Sequence, residues 1–166
     1  MKTLIIMMVY ALIFMLSVAY AKTATDMAEN RTKNHSIDQN KVIHFVKKTE
    51  NYIKKNGVKK AIIAYRKSSN NIFIGDYSGM FFVSPLHPEL IGNNEFNYKD
   101  SFGVFVVQEE IEKAKAGGGW LKGRWRENPK TGKYQCRKIY ILPVPGNYYI
   151  GSWYHYSSDK PGTCLI

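Results

Sequence analysis

The sequence predicts an α+β fold in which helices cover an antiparallel sheet. Between residues 37 and 65, apolar side chains recur every three or four positions, which is the spacing of one helical face. After residue 70 the pattern changes to short β-type runs, and the last three runs are joined by turn sequences at 128–132 and 145–147. Consecutive strands joined by tight turns pair antiparallel, so we expect one sheet with the helices on one side.

The helical part is predicted to consist of two helices. Ser36 and Gln39 fit a capping box at the start of the first helix, because the hydroxyl accepts an amide proton of the first turn and the glutamine reaches back. Asn56 and Gly57 predict its end, since glycine readily adopts the left-handed conformation that follows a helix. A second helix follows directly, with Tyr65 on its apolar side.

The rest of the chain is predicted to contain five strands and a third helix. A long connection over 84–103 is rich in Pro, Gly, Asn and Asp, and loops of this length in a compact domain are usually functional or wrapped against it. The third helix is expected at 104–116, and the three glycines at 117–119 are expected to end it. The strands are expected at residues 72–74, 80–83, 120–126, 134–142 and 148–156.

The N-terminus has the pattern of a cleavable secretory signal over residues 1–21. Lys2 gives a positive start, residues 4–16 are almost wholly apolar, and Ala19 and Ala21 are small residues where a signal peptidase cuts. This apolar run is shorter than the roughly 20 residues that a spanning helix needs, so cleavage is favoured over a retained anchor. We therefore expect a periplasmic or secreted protein with no transmembrane segment after signal removal.

The mature chain is predicted to hold a short leader and one domain. Residues 22–35 are polar and aperiodic, which favours a flexible leader, and residues 36–166 are then a single domain. An exported chain meets an oxidising compartment, so Cys136 and Cys164 form a possible disulfide, with unpaired thiols as the alternative.

The protein is basic, with 24 Lys and Arg against 13 Asp and Glu and a net charge of +11. Such an excess favours contact with polyanions, but the charges are dispersed and no run of five like charges occurs, so solvated faces are the preferred interpretation. Nucleic-acid binding is not expected, because Trp125 falls on the opposite strand parity from Lys122 and Arg124 and offers no stacking platform beside them.

The sequence shows no catalytic constellation, so no enzyme activity, metal or cofactor is predicted. The four histidines stand apart and lack the spacing of metal ligands. Glu109, Glu110 and Glu112 fall on one predicted helix and are interpreted as part of a solvated surface. Ser84 and Ser101 lack the strand-to-helix turn that presents a catalytic serine.

An ordered series of short motifs resembles the single Cache domain pattern, and the likeness covers roughly residues 37–156. Each motif is weak alone, whereas their order and spacing are more specific. The motifs are Asp-Tyr-Ser-Gly at 76–79, Ser-Pro at 84–85, Pro-Glu-Leu-Ile-Gly at 88–92, Gly-Gly-Gly-Trp at 117–120, Asn-Pro-Lys-Thr-Gly-Lys at 128–133 and Ile-Gly-Ser at 150–152.

The resemblance implies a PAS-like fold with a long N-terminal helix packed on a central antiparallel sheet of about five or six strands. It also implies an extracytoplasmic sensor module that binds a small organic ligand, often a carboxylate or an amine. We expect a free-standing exported member without its own output domain, which signals through a membrane receptor or kinase partner. The alternative is a ligand-free Cache scaffold that acts as a protein or envelope-surface interaction module.

The expected ligand site combines cationic, hydroxyl and aromatic side chains around a mostly apolar cavity. Arg137 and Tyr140 have opposite strand parity and share one face only if a bulge intervenes. The alternative is that the aromatic residues are ordinary core and the arginine is a surface charge. The candidate ligand-binding residues are Arg137, Tyr140, Trp125 and Ser84, followed by Tyr65 and His87.

Overall fold

Six strands form one antiparallel sheet in the computed structural model, which describes residues 2–68, 71–158 and 162–164. The elements are α1 (Lys2–Asn56), α2 (Val58–Arg66), β1 (Ile72–Asp76), β2 (Phe81–Val83), a short 3₁₀ helix (Pro88–Leu90), α3 (Val106–Lys115), β3 (Gly119–Trp120), β4 (Arg124–Asn128), β5 (Lys133–Val144) and β6 (Tyr148–Tyr156). The strand order is β2-β1-β6-β5-β3, and β4 also pairs with β5.

The chain divides into two compact units, Met1–Asp38 and Gln39–Ile166. All core residues of the described chain lie between Val42 and Tyr154, so the second unit contains the whole core. A chain that begins at Lys22 therefore keeps every core side chain. No helix in the described ranges is long and apolar enough to cross a membrane.

The predicted helix start at Ser36 is wrong, because α1 is continuous from Lys2 to Asn56. Residues 22–35, predicted as a flexible leader, are part of this helix. The hydroxyl groups of Thr23 and Thr25 donate to carbonyl oxygens four residues earlier, both at 2.9 Å, so these side chains are satisfied within the helix. The signal peptide and the domain boundary after it remain predictions.

The predicted end of the first helix is confirmed. α1 ends at Asn56, and Gly57 has a φ of 82°, the left-handed conformation that glycine adopts most easily. Its N–H donates to the carbonyl oxygen of Ile53 at 2.7 Å, which satisfies one of the free carbonyl groups of the last turn. α2 then begins at Val58, as the sequence predicted.

One face of the sheet packs against α1 and α2. Val46 and Ala61 of the helices are fully buried against Ile74 and Ile150 of the strands. Tyr140 lies on the edge of this cluster. The apolar helical face predicted from the spacing of residues 37–65 is therefore the face that contacts the sheet.

The other face of the sheet packs against α3, so the expectation of helices on one side only is wrong. Val107, Ile111 and Ala114 of α3 are buried against the sheet with Ile141 and Trp153. Their spacing of three and four residues makes one apolar stripe on a short helix. Two helical layers therefore enclose the sheet, and the two faces have separate cores.

The predicted strand 120–126 is interrupted in the structure. β3 ends at Trp120 and β4 begins at Arg124, with no strand at residues 121–123. Gly123 lies so close to Tyr156 that a Cβ atom there would sit 2.3 Å from the tyrosine hydroxyl. This close approach favours an irregular segment between the two short strands.

Cys136 and Cys164 form a disulfide with a Cα–Cα distance of 5.5 Å. Cys136 is fully buried in β5, so the bond ties residues 162–164 to the middle of the sheet. Cross-linking residues this far apart in sequence restricts the unfolded chain and stabilises the native state.

Gly151 of β6 is closely surrounded by side chains, which generates a stability prediction. A Cβ atom there would lie 2.3 Å from Phe73 Cζ and 2.7 Å from Ile141 Cδ1. We expect Gly151→Ala to lower the free energy of unfolding by about 1–3 kcal/mol through overpacking, measured by urea denaturation. The neighbouring Ser152→Ala adds no atom and serves as the control. A Gly151→Ala variant as stable as that control would contradict the packing described here.

Candidate functional site

A cavity of about 500 Å³ lies on the α3 face of the sheet. The long connection after β2, the first turn of α3 and strands β4 and β5 form its walls. Its walls combine aromatic, apolar and charged side chains, the usual mixture in a ligand pocket. The lining residues are His87, Glu89, Leu90, Glu95, Tyr98, Asp100, Ser101, Phe102, Val106, Val107, Trp125, Arg126, Glu127, Tyr134 and Arg137.

Asp100 fixes the connection that covers the cavity. Its Oδ1 accepts the backbone N–H groups of Phe102 at 2.7 Å and Val104 at 3.0 Å. Its Oδ2 accepts a hydrogen bond from the Arg126 guanidinium, and both side chains of this ion pair are largely buried. Gln108 of α3 donates to the carbonyl oxygen of Phe96 at 3.0 Å. The loop is therefore held to both β4 and α3.

Three arginines lie on the α3 face of β4 and β5, and two have carboxylate partners. Arg124 pairs with Glu109 at 2.5 Å, and Arg126 pairs with Asp100. Arg137 is half-buried, and in the described part of the chain no carboxylate lies within ion-pair distance of it. Its guanidinium lies 5.5 Å from the ring centre of Trp153, which offers a cation–π contact rather than a countercharge.

A buried carboxyl group lies on α3 near Arg137. Glu110 is 5% exposed, and the Tyr149 hydroxyl donates to its Oε2 at 3.2 Å. Burial raises the pKa of Glu110 to about 7, against the opposing effects of the Arg137 charge and of the Tyr149 hydrogen bond. Burial also lowers the pKa of Arg137, while the nearby Glu110 charge raises it. The two groups are therefore electrostatically coupled, and protonation of Glu110 changes the field at Arg137.

Gly75 makes room for Tyr149. A Cβ atom at Gly75 would lie 2.8 Å from the Cζ atom of Tyr149, so only glycine lets the phenol ring cross β1. The ring stacks on Tyr77 with a centroid distance of 6.4 Å. This packing fixes the direction of the hydroxyl group that reaches Glu110.

Three of the six predicted ligand-binding residues border the cavity. Arg137, Trp125 and His87 are among its lining residues. The Nδ1 atom of His87 lies 3.0 Å from Glu89 Oε1, and its ring stacks on Trp153 at a centroid distance of 6.5 Å. His87 and Arg137 therefore both contact the ring of Trp153.

The other three predicted residues do not line this cavity. Tyr140 lies on the α1 face, where its ring contacts Trp120 at a centroid distance of 5.1 Å. Tyr65 packs edge-on against Tyr52 at 5.8 Å on the same side of the sheet. Ser84 is buried just after β2 and is 3% exposed.

Strand geometry separates Arg137 from Tyr140. The pairing of β5 with β6 runs without a shift from Cys136 opposite Tyr156 to Val144 opposite Tyr148. The bulge that would bring the two side chains to one face is absent from this ladder. Residues of opposite parity therefore stay on opposite faces.

The sequence interpretation missed Glu110 as part of this region. It grouped three glutamates of α3 into one solvated surface, yet Glu110 lies three residues after Val107 and four before Ala114. This spacing places it on the buried stripe of α3, so helical periodicity could have identified it. Asp100 was missed because its role depends on a loop fold that no local pattern predicts.

No group of three or more His, Cys, Asp or Glu side chains in the described ranges is arranged to hold a metal ion. Two of the four carboxylates that line the cavity, Glu89 and Asp100, are paired with histidine and arginine, and the other two, Glu95 and Glu127, have no ion pair in the described ranges. The arrangement offers hydrogen bonds and charge for binding an organic molecule.

Comparisons with solved structures identify sensor domains with the same fold. The chain is similar to a methyl-accepting chemotaxis protein from Vibrio parahaemolyticus RIMD 2210633, with a TM-score of 0.61 and 15% identity over 78% of this chain and 96% of that one. It is similar to a Cache chemosensory domain described for carboxylic acid recognition, with a TM-score of 0.59 and 20% identity over 75% of this chain and 97% of that one.

A periplasmic sensor domain of a chemotaxis protein is also similar, with a TM-score of 0.55 and 18% identity over 78% of this chain and 96% of that one. At these identities the likeness shows a shared fold. A comparison with curated protein sequences found no match.

The family comparison covers most of the chain. The model of single Cache domain 2 matches residues 7–156, a range that includes all six strands, α2, α3 and all but the first five residues of α1. The long N-terminal helix and the six-stranded antiparallel sheet agree with the α+β, PAS-like fold that the sequence predicted. The chain therefore belongs to the single Cache domain 2 family of sensor domains.

Proposed function

We propose that this chain is an exported sensor domain, periplasmic or secreted, that binds a small organic carboxylate in the cavity on the α3 face. The observation that carries the proposal is Arg137, a half-buried cation at the cavity wall without a carboxylate partner in the described chain. Arg124 and Arg126 are already paired. An unpaired, partly desolvated guanidinium gains most from an anionic ligand, which it binds through two parallel hydrogen bonds.

The ion pairs of the cavity wall leave Arg137 as an unpaired cation of the lining, which supports a carboxylate ligand. The most buried carboxylate of the lining, Asp100, is engaged by Arg126, and Glu89 contacts His87. Glu95, which is half-buried, and Glu127, which is exposed, also line the cavity and have no ion pair in the described ranges, so an amine is the competing ligand class that the binding screen must include. The similar Cache chemosensory domain is described for carboxylic acid recognition, which supports the same ligand class here.

The rim of the cavity suits the organic part of such a ligand. Tyr98, Phe102 and Tyr134 line the cavity and are 52%, 58% and 53% exposed, an unusual exposure for large aromatic side chains. A carbon skeleton bound between them would remove this surface from water. The pocket volume of about 500 Å³ lies in the range of organic-ligand sites.

The proposed role is recognition without chemical conversion of the ligand. A sensor domain reports through the conformation that its ligand stabilises. The connection over 84–105 forms one wall of the cavity and is hydrogen-bonded to both β4 and α3, so a ligand that contacts this wall also acts on those two elements. Signalling then passes to a partner, a membrane receptor or kinase, that recognises the ligand-bound form.

A charge-removal variant tests the ligand site. We expect Arg137→Gln to weaken binding of the best carboxylate at least about tenfold, because a hydrogen-bonded charge pair is lost. Binding is measured by a thermal-shift screen of carboxylates, amines and amino acids on residues 22–166, followed by calorimetry of the best compound.

Lys138→Gln is the matched control for this variant. It removes one positive charge from the next residue, which lies on the opposite face over the Trp120 ring at 5.5 Å. Equal affinity of the Arg137→Gln variant and the wild type would contradict the proposed site. If amines alone stabilise the protein in the screen, the proposed carboxylate ligand is wrong and the ligand is cationic.

The coupling of Glu110 to Arg137 gives the binding a pH dependence. With a pKa of about 7, Glu110 is protonated in part at neutral pH. The positive charge of Arg137 favours the ionised form of Glu110. A bound anion offsets that charge, so binding raises the pKa of Glu110 and the complex takes up a proton. Affinity is then highest below the pKa and falls as pH rises through it.

We expect the dissociation constant of the carboxylate to rise above pH 7, by at most about tenfold per pH unit. Calorimetry across the pH range should show this rise in the wild type and a flat profile in Glu110→Gln, which keeps a hydrogen-bonding group for Tyr149. Glu109→Gln, the neighbouring carboxyl paired with Arg124, should retain the rise. A rise of the same size in Glu110→Gln would contradict the coupling.

A further inference from the structure

Positive charge is concentrated in a short stretch of α1 and α2. Residues 47–67 contain eight Lys and Arg residues and one acidic residue, Glu50, so they carry seven of the eleven net positive charges of the chain. All eight cationic side chains are exposed. We call this set the basic surface; its members are Lys47, Lys48, Lys54, Lys55, Lys59, Lys60, Arg66 and Lys67.

Helical spacing orders the basic surface. On α1, the cationic pairs at 47–48 and 54–55 are seven residues apart, close to two full turns, so they lie on the same side of the helix. On α2, Lys59, Lys60 and Arg66 lie three or four residues from Ile63, which places them next to it on the helix surface. Ile63 is 77% exposed, more than any other large apolar side chain among the described residues of the second unit, and it lies among cations.

Little of this charge is neutralised within the described chain. Glu50 contacts Lys54 at 2.5 Å, and the other cations of the basic surface form no ion pair within the described ranges. Arg66 donates its Nε proton to the carbonyl oxygen of Phe82 at 3.3 Å, which supplies no opposite charge. Clustered like charges repel and oppose compact folding, so this arrangement brings the isolated domain no stability.

We propose that the basic surface binds an anionic lipid bilayer. Each lysine or arginine close to such a bilayer is attracted by its surface potential, and an exposed apolar side chain among cations can insert at the headgroup boundary. Ile63 fits that role. Single-stranded nucleic acid is a poorer fit, because Tyr52 and Tyr65 pack edge-on against each other at 5.8 Å rather than forming an exposed stacking platform.

The basic surface and the ligand cavity lie on opposite faces of the sheet. α1 and α2 pack on the face that carries Ile74 and Ile150, whereas the cavity lies on the α3 face. A domain bound to a bilayer through α1 and α2 therefore keeps its cavity open to solvent. Membrane binding holds such a domain beside membrane partners while it samples small solutes.

Vesicle flotation tests the proposal. Residues 22–166 are used because they contain the whole core and lack the apolar run at 4–16, which would partition by itself. We expect this chain to float with vesicles of phosphatidylcholine and phosphatidylglycerol, but not with vesicles of phosphatidylcholine alone, and to be released by added salt. Ile63→Ser should weaken flotation at low salt.

The decisive variant neutralises the cations around the turn at Gly57, namely Lys54, Lys55, Lys59 and Lys60, each changed to Gln. We expect it to lower partitioning at least about tenfold, since each cation near the surface contributes roughly a fivefold gain. The matched control neutralises Lys115, Lys122, Lys130 and Lys133, which gives the same net charge and should partition like the wild type.

Three outcomes would overturn the proposal: no flotation of the wild-type chain with anionic vesicles, an equal loss in both fourfold variants, or tighter binding to DNA than to anionic vesicles at the same salt concentration. Circular dichroism and thermal unfolding of both variants show whether they are folded. Carboxylate binding should be unchanged in both, so this test is separate from that of the ligand site.

Discussion

The unbroken pairing between β5 and β6 is the constraint on which the rest of the structure depends. Because the register runs without a shift from Cys136 to Val144, alternate side chains of β5 keep to opposite faces of the sheet. Ile139 and Ile141 pack toward α3, which places Arg137 on that face, and Tyr140 packs toward α1. The ladder thus separates a charged ligand cavity from an aromatic core.

Charge balance on the α3 face then decides what the cavity can bind. Glu109 and Asp100 pair with Arg124 and Arg126, and the second of these pairs also fixes the loop that closes the cavity. Arg137 is left with the nearby, buried Glu110, whose pKa of about 7 means that its negative charge is only partly present at neutral pH. An organic carboxylate supplies the opposite charge that the protein itself provides only in part. Because the charge of Glu110 changes near neutral pH, the electrostatic field that an anionic ligand meets at Arg137 also changes with pH.

Much of the fold could be predicted from the sequence, because local residue patterns indicate where helices and strands begin and end. Gly57 ends α1 as expected, and β6 has the predicted bounds 148–156. The continuation of α1 before Ser36 could not be predicted, since polar residues without periodicity fit a helix or a leader equally well. Arg137, Trp125 and His87 do border the cavity, whereas the position of α3 and the pairing of Asp100 depend on long-range contacts that no local pattern contains.

The binding site can be located by a crystal structure of residues 22–166 with the tightest-binding carboxylate. We expect ligand density on the α3 face, with the carboxylate within hydrogen-bonding distance of the Arg137 guanidinium and the carbon skeleton between the aromatic side chains of the rim. Density on the α1 face beside Tyr140, or a ligand in the cavity that makes no contact with Arg137, would contradict the proposed site.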